Sequence, residues 1–80
     1  MHTHLPHWSG TLQAQTREAL QQLPVTRDGM LHFKHAALGY ASADLVDLMA
    51  DRLLLRARTG HGEYNFPDVD ALLEAGWAID

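Results

Sequence analysis

The sequence predicts a small single domain of the α+β class, with three to four helices and a short β-ribbon. Apolar residues recur at helical spacing in several segments, and a later stretch alternates polar and aromatic residues beside a glycine-rich loop. With 80 residues and no cysteine, the chain can build one thin core without disulfides. We therefore expect residues 1–9 to form a flexible N-terminal arm and residues 10–80 to form one globular domain.

The first helix is predicted over residues 11–23. Ser9 or Thr11 can cap its free amide groups, and Pro24 ends it, because proline disfavours a helical conformation at the preceding residue. Glutamines and other polar residues cover the outside of this helix. Its apolar face consists of residues at helical spacing, namely Leu12, Thr16, Ala19, Leu20 and Leu23.

The centre of the chain is predicted to be a strand followed by a pair of helices. Asp28-Gly29 is typical of a turn, and residues 30–33 then form the strand. A short helix is predicted within residues 34–40. It ends at Gly39, because glycine readily adopts the left-handed conformation that often follows a helix. Ser42 caps a longer helix that ends between residues 51 and 58.

The last third of the chain is predicted to be a β-ribbon and a final helix. Residues 53–66 can pair as two strands around a loop at residues 59–62, although residues 53–58 could instead continue the preceding helix. Pro67 opens the last helix, since the first helical position needs no amide, and Gly76 ends it. The apolar residues 77–79 close the chain.

The order of helix, strand, short helix, turn, longer helix and ribbon resembles a winged helix, a variant of the helix-turn-helix. The resemblance lies in the apolar residues, the glycine and the small polar cap at Leu38, Gly39, Ser42, Leu45 and Leu48. It implies a winged-helix-like arrangement with the ribbon as the wing, and a DNA-binding transcriptional regulator as one function. The cationic residues that would contact nucleic acid are Lys34, Arg52, Arg56, Arg58 and His61.

The distribution of charge favours a protein partner over DNA. The formal net charge is −4, and residues 62–80 hold no lysine or arginine. Three aspartates would also lie along the groove-facing helix, where they would repel phosphates. The predicted function is therefore a non-catalytic protein-interaction or regulatory module, an adaptor or an inhibitor, with a protein partner or with self-association. Its candidate contact residues are Asp44, Asp47, Asp51, Tyr64, Phe66 and Trp77.

No residue pattern points to catalysis, a cofactor or a membrane. The sequence has no phosphate loop, no nucleophile elbow and no His-Glu helix pair, so neither an enzyme nor a bound cofactor is expected. Two histidine groups could chelate a metal, His2-x-His4-x-x-His7 and the set His32, His35 and His61. We interpret the first group as part of the arm, and His32 and His35 as one surface histidine and one packed beside the turn. The sequence shows no signal peptide and no membrane-length apolar run, which predicts a cytoplasmic protein without a membrane partner.

Overall fold

The fold of residues 8–80, which the computed structural model describes, is a five-stranded antiparallel sheet that curls into half a barrel and carries three short helices. The strands lie in the order β4-β3-β2-β1-β5. No helix among these residues is long and apolar enough to cross a lipid bilayer. Along the chain the elements are α1 (Gly10–Gln21), β1 (Met30–His35), β2 (Gly39–Asp44), α2 (Leu45–Met49), β3 (Leu53–Ala57), β4 (Glu63–Phe66), α3 (Val69–Glu74) and β5 (Trp77–Ile79).

The predicted winged-helix-like arrangement is wrong, because the segment expected to form a short helix and a turn is the β-hairpin β1–β2. Leu31 and Phe33 of β1 are buried, and so are Ala41 and Ala43 of β2. Burial thus alternates with a period of two residues, so one side of each strand faces the core, as in a pleated strand. Gly39 does adopt a positive φ of +89°, but it serves the hairpin turn rather than a helix end.

The predicted long second helix is also wrong, since α2 has only five residues. Its one buried side chain is Leu48. Asp51 follows with a φ of +60°, which ends the helix, and Leu53 then begins the strand β3. The leucines of this region share a helical spacing in the sequence, but they reach one core from two different elements.

The other predicted elements are confirmed, with small shifts at their ends. Ser9 caps α1 by accepting a hydrogen bond from the Leu12 N–H at 3.2 Å. The ribbon forms from β3 and β4, and its register pairs Leu55 with Tyr64. The last helix begins after Asp68 rather than at Pro67, because the Asp68 side chain accepts the Ala71 N–H. Residues 77–79, for which no strand was predicted, form β5, which pairs with β1.

The core fills the concave side of the sheet, where α1 and α3 cover it. Thr16 of α1 is fully buried, and its hydroxyl accepts a hydrogen bond from the Ile79 N–H at 2.9 Å. This bond protects the outer edge of β5. The largest fully buried side chains are Trp77, Phe33, Leu55, Leu72 and Thr16. On the opposite, convex side of the sheet, Tyr40, Arg56 and Arg58 are exposed, whereas Ala78, which pairs with Lys34, is buried.

Candidate functional site

The pairing register aligns side chains on the convex face into rows that run across the strands. Tyr40 of β2 lies opposite Lys34 of β1. The pairing of Ala41 with Ala57 places Tyr40 opposite Arg58 on its other side, and the Arg58 N–H donates to the Tyr40 carbonyl oxygen at 3.0 Å. We call Lys34, Tyr40 and Arg58 the basic row. Two strand spacings, together about 10 Å, separate the backbones of its two cations.

The basic row combines an exposed aromatic ring with two cations. Tyr40 is 52% exposed, Arg58 is exposed, and Lys34 is half-buried. Neither cation forms an ion pair with any of residues 8–80. Leu38 in the neighbouring hairpin turn adds a further apolar side chain that is 52% exposed. The row therefore presents apolar surface together with uncompensated positive charge.

Trp8 and His61 lie near the two ends of the basic row. The Trp8 indole N–H donates to the Gly76 carbonyl oxygen at 2.8 Å, which anchors the start of the described chain. The Lys34 Nζ lies 5.1 Å from the centre of the Trp8 ring, within the range of a cation–π contact. His61 is exposed in the loop between β3 and β4, three residues after Arg58. Aromatic and cationic groups thus alternate along the row.

The remaining predicted nucleic-acid contacts are neutralised by carboxylates. Arg56 lies between Asp44 and Glu63, and its nitrogens are 3.3 Å from an oxygen of each. Arg52 donates from Nε and Nη2 to the same carboxylate oxygen of Asp47, at 3.1 and 2.9 Å. It follows α2, at the opposite end of the sheet from the β3–β4 loop. The five cations therefore do not form one surface, and the free positive charge on this face lies in the basic row.

The aromatic residues predicted to contact a partner line the core. Trp77 is 1% exposed, so it cannot provide a partner contact in the folded chain. Tyr64 and Phe66 are half-buried and pack against the core cluster. The rings of Tyr64 and Trp77 are 5.2 Å apart between centres, at an angle of 50°. These contacts close the concave side of the sheet.

The acidic residues predicted to contact a partner lie at the end of the sheet that holds α2. Asp44 and Asp47 form the ion pairs described above. Asp51 is exposed, and together with Asp68 it lines a cleft of 270 Å³. The walls of this cleft are largely apolar and include Leu48 and Leu53. Two carboxylates thus line a cleft whose other walls are largely apolar.

The histidines of β1 act as the sequence predicts, one at the surface and one beside the turn. The His35 Nε2–H donates to the Ala75 carbonyl oxygen at 2.8 Å, and Nδ1 accepts two amide N–H groups of the hairpin turn at 3.0 Å. In this arrangement Nε2 is the donor and Nδ1 is the acceptor. His32 contacts Asp28 at 2.7 Å, and this hydrogen bond is the main cause that lowers the pKa of Asp28. Within residues 8–80 no three side chains are placed to bind a metal, and the histidines of the arm lie outside the described residues.

Tyr40 is the member of the basic row that the sequence analysis missed, because it was assigned to a turn between helices. The available signal was the alternation of residues 40–44, in which Ala41 and Ala43 are small and apolar and the residues between them are polar or aromatic. That alternation predicts a strand with Tyr40 on its outer face.

Comparison with known proteins adds no assignment to this geometry. No family model matches the chain, and no curated protein and no solved structure is similar to it.

Proposed function

We propose that the chain is a non-catalytic protein-interaction module whose basic row binds an acidic surface of a partner protein. The observation that carries the proposal is the alignment of Lys34, Tyr40 and Arg58 on the convex face of the sheet, where Tyr40 and Arg58 are exposed. Tyrosine and arginine are the residue types most enriched at binding hot spots. Uncompensated charge attracts a surface of opposite sign and raises the rate of encounter with it.

The ion pairs formed by other cations of the chain support this proposal. The chain has ten acidic and six basic residues, so carboxylates are in excess. Arg17 binds Asp70 at 2.6 Å, and Arg52 and Arg56 also have carboxylate partners. The two cations of the basic row have none among residues 8–80, despite that excess. Their positive charge is therefore available to an acidic group of another molecule.

Single-stranded nucleic acid is the competing ligand, because such ligands also bind sheets that alternate aromatic and cationic side chains. Affinity for nucleic acid depends on how many phosphates the protein neutralises, and the basic row offers only two cations. The net charge of −4 opposes a polyanion further. A compact acidic protein surface fits two cations around one aromatic ring better.

The test is a titration of the ¹⁵N-labelled chain followed by amide chemical shifts. The probe is a synthetic peptide of alternating glutamate and leucine residues, and the matched control peptide has glutamine in place of glutamate. We expect the amide signals of Lys34, Tyr40 and Arg58 to shift with the acidic peptide only. The shifts should be lost in Arg58→Ser and kept in Arg27→Ser, because Arg27 is also exposed and without an ion pair among residues 8–80 but follows α1 in a different loop.

Two results would contradict the proposal. One is the absence of shifts in the basic row with the acidic peptide. The other is tighter binding of a single-stranded DNA oligonucleotide to the same residues, with an affinity that falls steeply as salt is added. That second outcome would assign the row to nucleic acid.

A further inference from the structure

Exposed apolar side chains occur at both ends of the sheet. Leu38 and Tyr40, each 52% exposed, lie at the end that holds the hairpin turn. Val46 and Met49, each 71% exposed, lie at the opposite end on α2. At the hairpin end, Lys34 and Arg58 form no ion pair with residues 8–80. At the α2 end, Arg52 is paired with Asp47, and the carboxylates that form no ion pair with residues 8–80 are those of Asp51 and Asp68. The two ends are therefore complementary in both respects.

The α2 end has a geometry suited to a long cationic side chain. Val46 and Met49 are three residues apart, so they share the exposed side of the helix. Leu48 of the same helix is in the wall of the cleft of 270 Å³ that Asp51 and Asp68 line. An arginine can lay its aliphatic stem along apolar walls while its guanidinium binds carboxylates in a bidentate manner. The cleft offers both kinds of contact.

We propose that the chain associates head to tail, with the basic row of one copy bound to the α2 end of the next copy. Arg58 of one copy enters the cleft between Asp51 and Asp68 of the next, and Tyr40 packs on Met49. The inference rests on the proposed function, because it names a second copy of this chain as the acidic partner of the basic row. Since the two surfaces differ, each added copy leaves one of each kind free, and the assembly can extend.

The backbone of Asp51 is consistent with this role. Asp51 has a φ of +60°, the only positive φ of a non-glycine residue in the described chain. A left-handed conformation costs stability for a residue with a side chain, and glycine would avoid that cost. The Asp51 carboxylate forms no ion pair with residues 8–80. Asp51 thus places a carboxylate without an internal ion-pair partner at the mouth of the cleft.

The experiment measures the mass of the full chain by sedimentation velocity at increasing concentration, in low and in high salt. We expect the wild-type mass to rise beyond that of a dimer at high concentration and to fall with salt, because exposed charges are screened. Arg58→Ser and Asp51→Asn should each weaken association about tenfold or more, since each removes one partner of a charge pair. Asparagine also tolerates a left-handed conformation, so Asp51→Asn keeps the fold. Arg27→Ser is the control and should associate as the wild type does.

Mixing the two variants gives the sharpest test. The Arg58→Ser chain keeps an intact cleft, and the Asp51→Asn chain keeps an intact basic row. Each should be monomeric alone, while their mixture should form a 1:1 heterodimer that cannot extend. Only a head-to-tail contact predicts that the mixture associates again and that the assembly stops at two copies.

The inference is overturned if the wild-type chain stays monomeric at every concentration and salt, or if the mixed variants do not associate. If the acidic peptide still shifts the amide signals of the basic row under those conditions, the proposed function stands and the partner is another protein. If the peptide also fails to bind, both proposals fall together.

Discussion

Replacement of Gly76 by alanine tests how the turn before β5 holds the hairpin. Gly76 is buried and has a φ of +96°. A Cβ atom at this position would lie 2.8 Å from His35 Nε2 and 3.1 Å from His35 Cδ2. The ring cannot stay in place, because real Cβ atoms do not approach other heavy atoms that closely. Gly76→Ala therefore displaces the side chain that binds the hairpin turn.

The expected loss of stability has two parts. A left-handed alanine costs about 1–2 kcal/mol relative to glycine. Displacing His35 removes its bonds to Ala75 and to two amide groups of the turn, each worth about 1 kcal/mol. The sum is about 4–5 kcal/mol, a large fraction of the roughly 4–12 kcal/mol that a domain of this size has. Gly39→Ala is the matched control, because Gly39 has a similar φ of +89° and nothing lies within 4 Å of its Cβ position.

Urea denaturation measures the free energy of unfolding of both variants. The same measurement in a chain that lacks the His35 side chain separates the two parts of the loss. In a His35→Ala background, Gly76→Ala should cost only the left-handed strain, so that the two substitutions are strongly non-additive. The reasoning is refuted if Gly76→Ala and Gly39→Ala lose the same free energy of unfolding. It is also refuted if Gly76→Ala costs as much without His35 as with it.

Three further substitutions test other contacts. Thr16→Val should lose about 1–3 kcal/mol of unfolding free energy, because the part-buried Ile79 N–H loses its acceptor. Thr16→Ser keeps a hydroxyl and should lose less, and urea denaturation compares the two variants. Asp51→Gly should raise the free energy of unfolding by about 1 kcal/mol, because glycine removes the left-handed strain. Its melting temperature should therefore be higher than that of the wild type, whereas that of Asp51→Ala should not be. Because the hydrogen bond from His32 lowers the pKa of Asp28, its stabilising contribution is present above the ordinary carboxyl pKa and is lost as pH falls through the lowered value. Stability should therefore fall less in Asp28→Asn than in the wild type between about pH 5 and pH 2, and equal slopes would contradict the assignment.

The local signals of the sequence predicted those elements whose patterns are self-contained. The capped helix α1 follows from the capping residue, the proline and the spacing within its segment, and β4 follows from the alternation of its residues. The sequence left residues 53–58 open between a strand and a continued helix, and residues 53–57 form β3. The hairpin β1–β2 was not predicted, because Ala36, Ala37 and Leu38 favour a helix and Gly39 fits a helix end as well as a hairpin turn. Pairing of β1 with β5, which lies more than 40 residues away in the chain, stabilises the strand against this local preference.

The amino-acid sequence alone establishes the composition of this protein, its one small cysteine-free core, its excess of acidic residues and the positions of its cations along the chain. It also predicted that one of His32 and His35 lies at the surface and the other beside the turn, although His35 was expected in a short helix and lies in β1. Only the tertiary structure decided which cations remain free. Arg52 and Arg56 acquire carboxylate partners, while Lys34 and Arg58 meet on either side of Tyr40. The physical reason is that the basic row depends on the pairing register of three strands, and a shift of one residue in either pairing would move its side chains to the opposite face.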